Sequence, residues 1–324
     1  MAERTGPGAT RTPAVLADAP GAPLLDRSGY DHSWLPWQTP AERPGASWPH
    51  GARTAVSIVV HLSAAEWEDA RQPFPAPVGG RGVTPAPDVP RMSHREFGHR
   101  VGVFRLLRLL ETAGIGPAVV IDVLTAEHYR PLLDHILPVA GEVLAGGLSA
   151  SRPITSAMGE QEERDYIRQS LDRLAAAVGR RPAGWLGPGH AESARTPGLL
   201  AEAGVDYLTD WANDDLPYPM TGAGLWSFPL SWELSDLSCV VDRDMAPWTW
   251  SQAVIEAFDV LHAEGGRMLA LHLQPWLSGQ AFRAEAVAAV LDHLSAIDDV
   301  WFAPPGAIIE RARTDDVASG EALA

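Results

Sequence analysis

Lysine is missing from this 324-residue chain, so all 25 of its basic residues are arginine. A Schiff-base lysine, a pyridoxal-phosphate lysine and a phosphate-loop lysine are thereby excluded. Cysteine occurs once, as Cys239. No internal disulfide and no CxxC pair can form, and a lone Cys reads as a small core residue. Positive charge is scarce as well, since 41 acidic against 25 basic residues leave a net charge of −16. That sign disfavours nucleic acid and anionic membrane as partners and suits a small neutral or cationic substrate. No apolar run reaches the roughly eighteen residues of a membrane span, and residues 1–28 lack the apolar centre of a secretory signal. The chain therefore reads as cytoplasmic, with no membrane partner, and a homo-oligomer is compatible with it. No HExxH or GxSxG occurs, and Gly187-Pro-Gly189 lacks the third glycine of a dinucleotide fingerprint.

What is present is core material: 46% of the residues are apolar, ample for one large domain. Residues 1–28 are rich in Gly, Pro, Ala and Thr and read as a disordered tail. Residues 29–313 read as one domain and 314–324 as a flexible end. From Ala55 onward, short apolar runs alternate with helical patterns, which argues for an α/β fold with a parallel sheet or barrel. Strands are expected at 55–62, 118–123, 142–145, 183–186, 205–209, 224–228, 268–274 and 299–303. Helices are expected at 126–137, 160–178, 197–203, 248–264, 282–295 and 305–312. A Pro/Gly-rich loop spans 72–90. Ser93 and Glu96 read as a capping box opening a helix that stops at Gly114, and Thr196-Pro197 as an N-cap with proline behind it. Seven or eight βα units in one chain favour a barrel, whose chemistry sits at the carboxyl ends of its strands.

Several of those strand ends carry a resemblance. Arg95-Glu-Phe-Gly-His-Arg-Val-Gly102, Ser151-Arg-Pro153, Trp185-Leu-Gly-Pro-Gly189 with Glu192, and Thr196-Pro197 are the first segments to match. Asp210-Trp-Ala-Asn-Asp-Asp215, Ser231-Trp-Glu-Leu234 and Gly279-Gln280 with Phe282-Arg283 continue the match in register. From about Tyr30 to Arg311 the chain resembles the polysaccharide deacetylase family, and within it the metal-independent, allantoinase-like branch. The resemblance implies a distorted (β/α)7 barrel and hydrolysis of a C–N bond in an N-acetyl sugar or cyclic ureide. It also exposes losses. Where the family pattern has an acid after the first strand, this chain has Ser63-Ala64; where it has Gly-His-Gly, Ala145-Gly146-Gly147; where it has His-Pro, Gln274-Pro275. Ser63, Gly146 and Gln274 are poor zinc ligands, so no catalytic metal and no other cofactor is expected.

New ionisable groups stand near the losses. Strand alternation puts His61 on the face of Ser63 and His272 on the face of Gln274, both toward the barrel interior. Family members typically have Asn at the positions of His61 and Asp122, and Leu at that of His190. Imidazole titrates near neutrality and a carboxylate can orient it, so His61, Asp122 and His272 are the candidate catalytic groups. Each has a plain alternative: the rings could be buried and neutral, and Asp122 could cap the helix after it. Ser63, Arg152, Trp185, His190, Glu192, Asp210, Trp211, Glu233, Gln274 and Trp276 are the candidate substrate contacts. Arg152 could instead brace its loop, and Asn213-Asp214-Asp215 reads as an Asx-type turn. Twelve tryptophans include Trp67, Trp185, Trp211, Trp232 and Trp276 near strand ends, where indoles could wall a pocket for a flat or apolar metabolite. Trp34, Trp37 and Trp48 could latch the approach segment over the barrel. Ser149 and Ser151 lack an evident base and are weak nucleophile candidates.

Three functions follow. The first is a metal-free enzyme doing acid–base chemistry on a small aromatic or apolar metabolite, by C–N hydrolysis, cyclisation, isomerisation or elimination, in a secondary-metabolism setting. The second is an ordinary amide or cyclic-ureide hydrolase in which His272 is the family histidine. The third is a binding protein whose pocket has outlived its chemistry.

Overall fold

The first strand, β1 (Thr54–Leu62), is buried at all nine positions, as required of a strand covered on both faces. It is seen in a computed structural model that describes residues 34–35, 45–67 and 87–322, with side chains to Asp315. The expected tail at 1–28, most of the loop at 72–90 and Trp37 lie outside the described residues.

The helix α1 (Val89–Phe97) runs through a π-turn at 98–102 into α2 (Val103–Thr112). Then come β2 (Ala118–Ile121), α3 (Val123–His128), α4 (Arg130–Ile136), β3 (Glu142–Ala145), α5 (Glu160–Val178), β4 (Gly184–Trp185), α6 (Thr196–Glu202) and β5 (Tyr207–Leu208). A short hairpin of β6 (Tyr218–Met220) and β7 (Leu225–Ser227) leads to α7 (Pro247–Glu264), β8 (Arg267–Leu273), α8 (Pro275–Ser278), α9 (Ala281–Ser295), β9 (Val300–Phe302) and α10 (Pro305–Ala322).

The sheet order is β6-β7-β5-β4-β3-β2-β1-β8, with β9 beside the start of β1. Seven strands, β8-β1-β2-β3-β4-β5-β7, run parallel, and β6 closes the far edge antiparallel to β7. This is the expected distorted (β/α)7 barrel, left open between β7 and β8. Ser231 N–H to Ala270 O at 3.4 Å and Met268 N–H to Asp215 O at 3.2 Å tack that seam together. Among the described residues no helix is long and apolar enough to cross a membrane.

Strand phase divides the core. Val56, Ile58, Val60 and Leu62 pack outward against the helices, with Leu106 and Leu110 of α2 among their cluster. Ala55, Val59, Val120, Leu144, Leu186 and Ala270 pack inward. Each large aliphatic side chain so buried contributes about 1.5–3 kcal/mol. Trp48 belongs to the inner cluster. Its indole N–H donates to Arg267 O at 2.9 Å, at the start of β8, so it plugs the amino end of the barrel and does not latch over the mouth.

Several sequence expectations shift. The helix expected from Ser93 starts at Val89, and Asp88 caps it by accepting Arg91 N–H at 3.1 Å. Pro90 favours that earlier start, because proline fits only the first turn. Thr196 lies inside α6, and its hydroxyl donates to the buried Glu163 at 2.6 Å. The helix expected over 126–137 is broken at Tyr129, because Pro131 lacks an N–H and its ring would meet the carbonyl four residues back. The strand β6 has no sequence signal, since Pro219 sits in it; it holds an edge, where proline is tolerated. The last helix reaches Ala322, past the expected 312.

Candidate active site

Because residues 55 and 59 of β1 and 268 and 270 of β8 face inward, alternation carries His61 and His272 inward too. The two rings meet at the carboxyl ends of these neighbouring strands. His61 Nδ1 lies 3.0 Å from His272 Nε2, with the ring centroids 5.1 Å apart and the ring planes inclined by 24°. Gln274 Nε2 reaches the same His61 Nδ1 at 3.2 Å, and the Trp276 indole N–H donates to Gln274 Oε1 at 3.3 Å. All four side chains are buried, and His61 Nε2 has no partner. Burial, and then the charges of His190, Arg95 and His99, push His61 down to about 3. Burial and the other two imidazoles hold His272 well below its usual range. Burial thus favours the neutral form of both rings.

His190 stands edge-on to His272 at 5.5 Å and to Trp232 at 4.9 Å, and burial lowers it to about 4. Behind it, Asp210 Oδ1 accepts Gly187 N–H at 2.8 Å, and the Trp211 indole donates to Glu192 Oε2 at 3.0 Å. Asp210 Oδ2 and Glu192 Oε1 have no partner among the described residues, and the two carboxyl side chains interact with each other. Burial first, then the neighbouring carboxylate, raises Asp210 far above its usual range. Burial lifts Glu192 to about 6.

The structure does not join Asp122 to either ring. Its Oδ1 accepts Thr125 N–H at 2.7 Å and its Oδ2 accepts Ala64 N–H at 2.8 Å. It caps α3 while tethering the loop after β1, and the expected His–Asp pairing is replaced by the His–His pair. Burial raises Asp122 to about 7 despite those bonds. Ser63 sits half-buried in that loop. Arg152 is held by Glu66, Nε to Oε1 at 2.5 Å, with the Ser149 hydroxyl on the same carboxylate at 3.0 Å and Ser151 Oγ accepting Glu66 N–H at 2.9 Å; the loop-bracing alternative describes this cluster. Leu216 N–H donates to Asp214 Oδ1 at 3.0 Å, an Asx-type turn.

The five-indole rim is not assembled. Trp185 is fully buried in the outward core, because Leu186 takes the inward phase beside it. Trp67 is half exposed, and the Glu233 side chain is 73% exposed and paired with Arg243 at the surface. Trp211, Trp232 and Trp276 stay with the cluster. Sequence reasoning missed Asp236, which is buried and accepts Gln274 N–H; nearby, the Arg95 guanidinium lies 4.8 Å over Trp276. A lone Asp in a polar loop gives no signal of this.

Other branches of the family that the sequence resembles would imply a bound metal, and the donor set here does not fit one. Among the described residues no three His, Cys, Asp or Glu side chains converge as ligands. His61 and His272 turn their nitrogens on each other. A Cβ on Gly146 would lie 3.1 Å from Asp122 N and Val120 Cγ1, so the strand end has no ready room for an imidazole.

No family model matches the sequence, and no curated protein matches it either. Solved structures do match. One is a Pseudomonas aeruginosa PAO1 protein assigned as a polysaccharide deacetylase, with TM-score 0.72, 24% identity, and 83% of this chain and 94% of that one covered. Another is Puue allantoinase, with TM-score 0.73, 24% identity and coverage of 84% and 94%. A third, from Mycobacterium smegmatis and assigned as a polysaccharide deacetylase, has TM-score 0.69, 26% identity and coverage of 85% and 95%. The architecture is an α/β barrel open at one seam. Its fold is that of the polysaccharide deacetylase family.

Proposed function

We propose that the chain is an enzyme that acts at a C–N bond of a small aromatic or apolar molecule by proton transfer between side chains, without a catalytic metal ion. The observation that carries this reading is the 3.0 Å contact of His61 Nδ1 with His272 Nε2, between two buried neutral rings. A neutral imidazole can give a proton from one nitrogen while taking one at the other. Two rings in contact therefore pass a proton without forming the imidazolium that burial disfavours. In the hydrolytic form, water adds to the carbonyl carbon and gives up a proton to the pair, and the C–N bond breaks with its electron pair on nitrogen. A proton delivered through the pair neutralises the leaving amine. The fold shared with an allantoinase and with proteins assigned as deacetylases supports C–N hydrolysis over cyclisation or isomerisation. Trp211, Trp232 and Trp276 around the cluster support an aromatic or apolar substrate.

A panel of N-acyl arylamines, aryl lactams and substituted cyclic ureides, incubated with chelator-treated protein and followed by mass spectrometry, tests the reading. Turnover of at least one member, lost in both His61→Asn and His272→Asn, is expected. Turnover that needs added zinc, or that survives both substitutions, sinks it; binding without turnover across the panel leaves a binding protein on this barrel.

A further inference from the structure

We propose that Gln274 and Trp276 are positioning residues that set the resting tautomer of His61, with its proton on Nε2, from which the pair passes a proton. The site then offers a neutral N–H donor and takes a ligand through an accepting oxygen, the carbonyl of an amide, lactam or ureide. This rests on the reading that the paired rings are the reactive centre, and it says which way their protons point.

The argument starts at the indole, which can only donate. Trp276 N–H lies 3.3 Å from the Gln274 side-chain amide, so the amide must turn its oxygen to the indole. Its nitrogen then faces His61 Nδ1 at 3.2 Å. An amide nitrogen has no lone pair to offer, so Nδ1 must be the acceptor and carries no proton. A neutral imidazole with Nδ1 bare has its proton on Nε2. His272 Nε2, at 3.0 Å from the same bare atom, must also be protonated and donate. Two donors thus converge on one acceptor nitrogen, and a proton placed on Nδ1 would confront the Gln274 amide.

The positioning pair is itself held. Asp236 Oδ2 accepts Gln274 N–H at 2.8 Å, Arg95 lies over one face of the Trp276 ring at 4.8 Å, and His94 meets it edge-on at 5.0 Å. At the far side of His61, the Nε2–H is buried with no acceptor in the protein. A buried donor without an acceptor is unfavourable until a ligand oxygen supplies one. An imidazole kept neutral by its surroundings polarises a carbonyl as a hydrogen-bond donor, without needing to be an imidazolium.

Long-range hydrogen–nitrogen correlation spectra of isotope-labelled full-length protein read the tautomer directly, with His61 assigned by the signals lost in His61→Asn. At neutral pH the expected pattern is a bare Nδ1 and a protonated Nε2. In Gln274→Glu the carboxylate accepts from both Trp276 and His61, so the two ring signals should exchange places. Trp276→Phe, which removes only the indole donor and serves should Gln274→Glu fold poorly, should give a mixture of tautomers. A protonated Nδ1 in the unaltered protein, or a pattern that neither substitution moves, overturns the tautomer assignment. Acetanilide should shift the His61 Nε2–H signal where aniline, which has no carbonyl, does not; no acetanilide effect overturns the ligand assignment. None of these readouts involves turnover, so the tautomer assignment and the proposed reaction can fail separately.

Discussion

Asp236 holds the end of a strand to which it does not belong: its Oδ2 accepts the backbone N–H of Gln274 at 2.8 Å. The Ser278 hydroxyl donates to the same atom at 2.6 Å, so one carboxylate ties both ends of α8 to the loop after β7. Burial raises this acid to about 7 even with those donors. Asp236→Ala strands a buried N–H and a buried hydroxyl, and should destabilise the protein by about 1–3 kcal/mol in denaturant unfolding. Asp236→Asn keeps an acceptor for Gln274 and should lose clearly less. Equal losses in the two variants would mean that the contact is incidental.

The Asp210–Glu192 pair gives an opposite expectation. Asp210 Oδ1 serves Gly187 N–H, and burial with the neighbouring carboxyl raises both acids, favouring a proton held between them that the unfolded chain, with acids near 4, would release. A group raised in the folded state stabilises at low pH, and that contribution is lost as pH rises through its folded value. Asp210→Asn supplies the missing donor permanently. It should unfold at a temperature equal to or above the parent's at pH 8, with the advantage shrinking toward pH 5. Asp210→Ala removes the Gly187 acceptor and should be destabilised at both. An Asn variant much weaker than the parent at pH 8 would exclude the shared proton.

How much of this was legible beforehand depends on whether a residue's role is local. Strand phase was local: His61 on the face of 55 and 59, and His272 on the face of 268 and 270, were placed correctly from alternation alone. The same rule sends the Trp185 indole, between Gly184 and Leu186, outward. Gly184 faces inward, where the Tyr207 ring lies within 2.6 Å of any added Cβ. Asp122 was read with a capping alternative, which its bond to Thr125 N–H satisfies, but its second bond, to Ala64, crosses between strands and has no sequence signature. Asp236 went unseen for the same reason, since its partner is 38 residues away. The capping box at Ser93 failed because a proline three residues earlier set the helix start.

Restoring the family's histidine tests the reading of the third strand end. A Cβ at Gly146 would sit 3.1 Å from Asp122 N, Ile121 C and Val120 Cγ1, so Gly146→His should destabilise the fold by roughly 1–3 kcal/mol through overpacking. With His61 and His272 bonded to each other, the added imidazole lacks converging partners. Zinc content after dialysis should match that of the parent. Stoichiometric zinc in this variant would mean that the paired rings open readily, against the tautomer assignment as well.

The buried groups of the site oppose one another across the acid range, and single substitutions should uncover this. Burial lowers His61 to about 3, His99 and His190 to about 4, and His272 well below its usual value. Each takes up a proton near 6.5 only when the chain unfolds, so each makes stability fall as pH drops from that value toward its folded one. Asp122 and Asp236, raised to about 7, and Asp210 and Glu192, raised by burial, do the reverse. They hold protons in the folded state that the unfolded chain gives up near 4, so each makes stability rise as pH drops from its folded value toward 4. Between pH 6 and 5 the two sets largely cancel. His61→Asn removes one member of the first set and Asp122→Asn one of the second. Relative to the parent, each should tilt the plot of unfolding free energy against pH by about one proton, or roughly 1.4 kcal/mol per pH unit. The His61 variant should gain stability toward acid and the Asp122 variant should lose it. Parallel plots for all three proteins would show that neither group changes its protonation on unfolding, and tilts of the same sign would show that one of the two directions is wrong.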